Sequence, residues 1–463
     1  MNSSNSANSR REVLRSLVGG SLLMPGLLSE LLAAPEQTSE NPLAPKQPHF
    51  PAKAKRVIFV FSNGGVSHMD TFDYKPELFK ADGKKTGAGG GLSNQERRLL
   101  KPLWDFKPGG ACGTLVSDLF PNLRELMDDI CLVKSLNGND NEHYNATLGM
   151  HTGSFFFSRP SIGSWVSYGL GTVNQNLPSF IALAPQMPYA GTQIFNNDFL
   201  PAYHQGVRVI GGAEPIPNLK RRSTEKGLQE LELGLADVLN SRHLAAHAND
   251  SELSARIRSF ETAFHMQSDA PEAFDVNAED DRTLALYGLK RGQSEGFGWQ
   301  CLVARRLAER GVRFIELVDG SSSHNWDQHG NMAEHADHAK VIDQPLAGLI
   351  RDLKDRGMLD ETLVVWTTEF GRTPGVDGDK GRGHHSACFS SWMAGGGTKG
   401  GVSYGETDEL AATVAENGVH VHDFHATILH LLGIDHERLT YRHAGRDYRL
   451  TDVHGRVVRD LIS

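Results

Sequence analysis

The sequence predicts an α/β protein organised around a mostly parallel sheet, and three stretches carry that prediction. Val57-Ile58-Phe59-Val60-Phe61 is a continuous apolar run closed by Asn63-Gly64-Gly65, the pattern of a strand buried on both faces. Residues 300–310 repeat apolar side chains at helical spacing, Gly311 stops them, and residues 312–318 follow as a second strand. A long helix then carries Ile342, Leu346, Leu349, Ile350 and Leu353 on one stripe. Gly357 ends it, and Thr362-Leu363-Val364-Val365-Trp366 follows as a third strand. Alternation of this kind makes βαβ units, whose crossover helices join parallel strands.

Taken in chain order, the first element is Ser9-Arg10-Arg11-Glu12-Val13-Leu14-Arg15, followed by a moderately apolar stretch and Ala33-Ala34-Pro35. That layout predicts a twin-arginine signal peptide over residues 1–34, and hence export to the periplasm or beyond through the twin-arginine machinery. Gly19, Gly20, Pro25, Gly26 and Glu30 interrupt the apolar run, which falls short of the roughly 20 clean apolar residues of a spanning helix, so no stable membrane span is expected in the mature chain. Residues 35–54, rich in proline and polar side chains, are expected to be a linker, and residues 55–463 the α/β domain. The glycine-rich residues 86–91 lack the Gly-Lys-Ser/Thr ending of a phosphate-binding loop and are taken as a loop. Further strands are predicted at 130–133, 180–183 and 388–393, with a closing helix over 424–432. Between about 219 and 280 the pattern changes to charged amphipathic helices, Leu228, Leu231, Leu235 and Leu239 giving the first stripe, which predicts a helical insertion.

Composition supports a domain of this size. The chain has 463 residues, 39% hydrophobic and 22% charged, enough to bury one large core. Its formal charge is −9, and removal of residues 1–34, with three arginines and two glutamates, makes it −10, which argues against a nucleic-acid partner. The four cysteines form no C-x-x-C pair. Cys112 and Cys131 are close enough in sequence for a disulfide in an oxidising compartment, the alternative being buried free thiols.

In open α/β sheets ligands collect at the carboxyl ends of the strands, so the loops there come first. The first strand runs into His68 and Asp70; the second into His324, Asp327 and His329; the third into Glu369 and Arg372, after which a glycine-rich loop delivers His384 and His385. Imidazole with carboxylate is a ligand set for zinc, manganese or iron, and an open coordination place lets the ion activate water. Asp327, His329 and His385 together therefore predict a metal site. His335 and His338, on the long helix, are expected to be solvated. Asp70 and Glu369 either assist the ion or cap the helix that follows. Arg372 either holds an anionic substrate oxygen with its planar fork or pairs with a nearby acid. His143, where a loop enters a helix, is a ligand, a base or a buried hydrogen-bonded histidine.

The ordered set VIFVFSNGGVSHMDTFDYKP, GMHTG, CLVARRLAERGVRFIEL, HNWDQHGN, TTEFGRTP, GRGHH and HDFHATILHLLGID resembles the domain-of-unknown-function family 1501, within the alkaline phosphatase and sulfatase superfamily. The resemblance spans nearly all of the mature chain and implies a three-layer α/β/α sandwich. It also implies divalent metal ions, zinc, manganese or calcium, around a Ser, Thr or modified Cys nucleophile acting on a small anionic ester or a polysaccharide. On that resemblance Asp327 and His329 match the Asp and His ligands after a central strand, and His384 or His385 the late histidine. Ser62-Asn63 stands where a sulfatase has Asp, and Glu369-Phe370-Gly371 where it has Asp-His-Gly. Counting back from Thr152-Gly153, the nucleophile position falls on His143, and Cys/Ser-x-Pro-x-Arg is absent. Sulfatase maturation therefore does not apply, and the resemblance leaves His143 as a metal ligand, a phosphorus nucleophile or part of a repurposed site. The function implied is a metal-dependent hydrolase of phosphate or sulfate esters, the alternative being a metal-containing binding protein for an anionic polysaccharide or a cell-surface partner.

Overall fold

The computed structural model describes residues 41–85, 97–216, 226–246 and 251–463. The expected signal peptide, the glycine-rich 86–91 and parts of 219–280 lie outside the described residues. The chain divides into two units, Met1–Ala44 and Pro45–Ser463. Of the first, only 41–44 are described, a turn closed by the Ala44 N–H on the Asn41 carbonyl at 3.0 Å.

The second unit is built on a sheet whose nine described strands include β1 (Arg56–Ser62), β2 (Ile130–Asn137), β3 (Phe180–Leu183) and β4 (Val207–Val209). β5 (Phe314–Asp319) and β6 (Thr362–Thr367) follow. β7 (Gly371–Asp377) and β8 (Gly381–His385) form a separate antiparallel hairpin. β9 (Phe389–Ala394), β10 (Val402–Tyr404) and β11 (Val419–His420) return to the main sheet. The order is β10-β2-β9-β6-β1-β5-β3-β4, with β11 also on β2. All pairings are parallel except those of β9, which runs against β2 and β6.

Two faces of β1 explain the layers. Ile58 and Val60 enter one apolar cluster and Val57, Phe59 and Phe61 the other, because successive strand side chains point to opposite faces. Helices α1 (His143–Thr152) and α2 (Ile162–Leu170) contribute to the second cluster. α3 (Lys226–Ala246) and α4 (Ser251–Phe274) form the inserted helices. α5 (Phe297–Glu309) and α6 (His335–Asp355) contribute to the first cluster, and α7 (Val421–Leu431) to the second. The α6 stripe of Ile342, Leu346, Leu349, Ile350 and Leu353 is fully buried, as its spacing requires. The result is the expected three-layer α/β/α arrangement.

Several local expectations differ from the structure. His335 and His338 are buried: the His335 Nε2 accepts the Ser67 N–H at 3.2 Å, and both rings pack on Trp326, so α6 turns them inward at its start. All four cysteines are free, Cys112 exposed and Cys131 buried on β2, so Cys112–Cys131 is not a disulfide. The segment expected as a linker is tied to the domain from Lys46 onward, with N–H groups of Lys46, His49 and Ala54 on the carbonyls of Leu170, Gly433 and Leu431. Leu231, Leu235 and Leu239 form a stripe on α3 that is exposed.

Candidate metal centre

Three strand ends are stitched together before any functional side chain is placed. Gly64, just past β1, has φ +113°, and a Cβ there would lie 2.6 Å from the Trp326 nitrogen, so only glycine lets the β1 loop meet the loop after β5. The Trp326 N–H donates to the Asn63 carbonyl at 3.0 Å, and the Gly64 N–H to Glu369 Oε1 at 2.7 Å. Arg372, at the start of β7, locks the junction. It donates through Nε to the Gly65 carbonyl at 2.7 Å, through Nη1 to the Arg382 carbonyl at 3.1 Å, and through Nη2 to the Gly64 carbonyl and to Asp327 Oδ1, the latter at 2.6 Å.

Around Asp327 stand three imidazoles, and each has its Nδ1 engaged by an acceptor. His329 Nδ1 lies 2.5 Å from Asp377 Oδ2, His384 Nδ1 2.7 Å from the Asn141 carbonyl, and His143 Nδ1 2.8 Å from Glu369 Oε1. Those acceptors fix the proton on Nδ1 and leave the lone pair on Nε2. The His329 and His384 Nε2 atoms lie 3.0 and 3.1 Å from Asp327 Oδ1 and 2.8 Å from each other. Two lone pairs do not face each other at that distance unrelieved: either one ring carries a second proton and donates to the other, or a cation draws both. The His143 Nε2 takes the other oxygen, 3.2 Å from Oδ2. The donor atoms of His143, Asp327 and His384 also fall within 4.8 Å of one another. The residues present therefore fit a divalent ion.

Electrostatics agree. Burial, which favours a neutral carboxyl, is outweighed for Asp327 by the neighbouring His143 and His384 rings and by the Arg372 charge, so its carboxyl sits far below the usual range. Burial lowers the His143 value, but Asp327 and Glu369 outweigh it and the net shift is upward. For His384, burial and then the nearby Arg372 and His143 charges pull downward, against the opposing Asp327 hydrogen bond.

Of the residues singled out from sequence, the structure gathers Asp327, His329, His384, His143, Glu369 and Arg372 and leaves out His385 and Asp70. His385 follows His384 on β8, so its ring points to the other face, where Nε2 meets the Ala412 carbonyl at 2.6 Å. The trio Asp327, His329 and His385 therefore does not converge; His384 stands where His385 was expected. Asp70 is buried in an ion pair with Arg382 at 2.7 Å and accepts from Ser67 at 2.5 Å. Glu369 lies behind His143, where it orients the ring. Arg372 has no exposed side-chain surface and spends its donors on backbone carbonyls and Asp327, so it grips no substrate anion.

Sequence reasoning missed Asp377, Tyr189 and Asn325. Tyr189 lies flat on His143, ring centroids 4.0 Å apart, and its hydroxyl accepts from Asn325 Nδ2 at 3.0 Å. Asp377 ends β7, just before the glycine-containing turn that delivers His384, the one signal that pointed to it. A cleft of about 530 Å³ opens onto the cluster, lined by Asn139, Asp140, Asn141, Glu142, His143 and His384.

A family model described as "Protein of unknown function (DUF1501)" matches residues 54–462. No curated protein matches the sequence. Among solved structures, the chain is similar to the lipoteichoic acid synthase LtaP from Listeria monocytogenes, at 10% identity over 88% of this chain and 78% of that one, TM-score 0.35. It is also similar to the PsFucS1 sulfatase from Pseudoalteromonas sp., at 13% identity over 85% and 69%, TM-score 0.36. An alkaline phosphatase from the Antarctic bacterium TAB5 gives 11% identity over 79% and 97%, TM-score 0.31.

Proposed function

The chain belongs to the DUF1501 family of proteins of unknown function, and from that premise we propose that it is an exported metal-dependent hydrolase acting on a phosphate or sulfate ester or a related anionic group. The observation that carries the reading is the 2.8 Å approach of the His329 and His384 Nε2 atoms beside Asp327 Oδ1, with both Nδ1 atoms already taken. Asp327, His329 and His384 would hold the ion, which supplies a Lewis acid for an ester oxygen. The chain's own part is to fix the imidazole tautomers through Asp377, the Asn141 carbonyl and Glu369, and to offer the adjoining cleft to a small ester or to the end of a polysaccharide.

A second reading has its own support. Should His143 Nε2 join the other three donors, the site would be closed with four protein ligands, the habit of structural ions. That arrangement would suit a metal-containing binding protein for an anionic polysaccharide or a cell-surface partner.

Metal analysis of the purified protein, with aryl phosphate and aryl sulfate turnover measured before and after chelation, separates the two. The hydrolase reading expects stoichiometric metal, turnover lost with chelator, and both lost in Asp327→Asn; stoichiometric metal with no turnover on a broad ester panel supports the binding reading. Export is tested separately. Arg10→Lys with Arg11→Lys should retain the chain inside the producing cell, whereas unchanged export of that variant rules out the twin-arginine route.

A further inference from the structure

We propose that α3, in the inserted helices, is a self-association surface whose exposed apolar stripe packs antiparallel against the same stripe of a second copy of this chain. The inference makes no use of the metal centre and stands apart from the hydrolase reading.

α3 has two apolar faces. Leu233 and Leu244 fall about 20° apart around the helix axis, and both are half-buried. Leu231, Leu235, Val238 and Leu239 lie on the opposite side and are 74%, 62%, 49% and 56% exposed. A surface helix ordinarily turns one stripe inward and covers the other side with charge. Four large aliphatic side chains side by side in water mark a place where something docks, in contrast to apolar residues scattered singly. The neighbouring helix α4 has its own partner: Met266 and Ala270 are buried in the first apolar cluster.

Three occupants fit less well than a second copy. Internal segments of this chain supply too little apolar surface, since residues 217–225 and 247–250, which flank α3, carry Leu219 as their one large aliphatic side chain, and residues 86–96 carry Leu92. The apolar stretch within residues 1–34 is expected to leave with the signal peptide. An anionic bilayer is opposed by charge. The α3 sequence has Glu230, Glu232 and Asp237 against Lys226 and Arg242, whereas a helix lying on such a surface carries Lys and Arg along its polar face. A second copy brings an identical stripe, which is self-complementary about a two-fold axis.

Charge sets the direction of the pair. Arg242, also exposed, stands on the stripe about two turns beyond Leu235. A parallel pair would set Arg242 against Arg242 across the seam. An antiparallel pair with Leu235 against Val238 of the second copy sets Leu231 opposite Arg242 of the second copy instead. In sequence, α3 is acidic toward its start, with Glu230 and Glu232, and basic toward its end, with Arg242 and His243. The antiparallel register therefore brings opposite charges together at both ends of the seam. One helix pair about 30 Å long makes a small interface, so the dissociation constant is expected in the micromolar range.

Sedimentation of the full-length protein over about 1–100 μM should show a monomer–dimer equilibrium. Leu235→Glu should leave monomer alone at every concentration, with unchanged helix content by circular dichroism. Adding Val238→Lys to Leu235→Glu should restore the dimer, a recovery that a folding defect would not give. Cysteine pairs read the direction, in a Cys112→Ser background under mild oxidation. Leu231→Cys chains should cross-link when mixed with Arg242→Cys chains and not with themselves, because the antiparallel register holds the two Leu231 positions about 16 Å apart along the seam. Monomer at all concentrations, association indifferent to Leu235→Glu, or Leu231→Cys chains that link to themselves as readily as to Arg242→Cys chains overturns the inference. None of these results touches the metal or the turnover on which the hydrolase reading depends.

Discussion

Helix α1 carries two buried histidine–glutamate pairs, and their difference separates a site from a core. At its start His143 meets Glu369 at 2.8 Å; at its end His151 meets Glu316 at 2.9 Å. Glu369 sits past the carboxyl end of β6, with the Gly64 N–H and the Thr368 hydroxyl completing its acceptors. Glu316 sits in the middle of β5, and neither of its oxygens has a hydrogen bond among the described residues. Burial pushes the Glu316 carboxyl up, against the attraction of His151. The tautomers are opposed as well. His143 spends Nδ1 on its glutamate and leaves Nε2 free, whereas His151 spends Nδ1 on the Thr147 carbonyl at 2.7 Å and turns Nε2 to its glutamate. At the site a carboxylate orients a ring for something else; in the core the two partners have only each other.

That contrast breaks most visibly in stability. His151→Ala leaves Glu316 buried and alone, and should cost about 3–5 kcal/mol in denaturant unfolding, whereas replacing both partners with leucine should be near neutral or stabilising. His143 is buried as well, but glutamine keeps a donor for Glu369, so His143→Gln should cost under about 1 kcal/mol. A His151→Ala variant as stable as the parent would erase the distinction.

A smaller effect sharpens the site half. Asp377 holds His329 by Nδ1 at 2.5 Å, and Asp377→Asn should weaken metal binding by about 10–100-fold, read by competition with a chromogenic chelator, with little change in folding. Unchanged affinity would remove His329 from the ion's ligands.

The smallest effect is in the core and depends on pH. His425 on α7 is fully buried, its Nε2 2.7 Å from the Met150 carbonyl, and burial lowers its pKa from 6.5 to about 3. The folded value lies below the unfolded one, so the unfolded chain binds the extra proton between them. Stability is therefore full above pH 6.5 and falls as pH drops toward 3, by about 1.4 kcal/mol for each unit. Unfolding midpoints of chelator-treated protein between pH 7.5 and 5 should fall accordingly, and His425→Leu should flatten the slope. An unchanged slope in that variant contradicts the assignment.

Periodicity made much of the fold legible. The β1 run, the α6 stripe and the glycine stops are local signals, and each element formed where its pattern lay. The site was legible as a neighbourhood, because Asp327, His329, Glu369, Arg372 and His384 all follow strand ends. Its pairings were not. Asp70 is neutralised by Arg382, 312 residues away, and no spacing in the sequence announces that contact. His384 and His385 looked interchangeable as neighbours in the chain, yet a strand sends them to opposite faces; reading the GRGHH segment as a strand would have split them. His335 and His338 were misread because α6 begins inside the protein, under Trp326, and helical spacing alone does not say which face meets solvent.

Everything functional depends on a cation held between the imidazole nitrogens of His329 and His384 beside Asp327. Crystals of the full-length protein grown with zinc and measured across the zinc absorption edge address it most directly. The account predicts one anomalous peak within coordinating distance of Asp327 Oδ1 and of the Nε2 atoms of His329 and His384. A peak elsewhere, or none at zinc saturation, contradicts it.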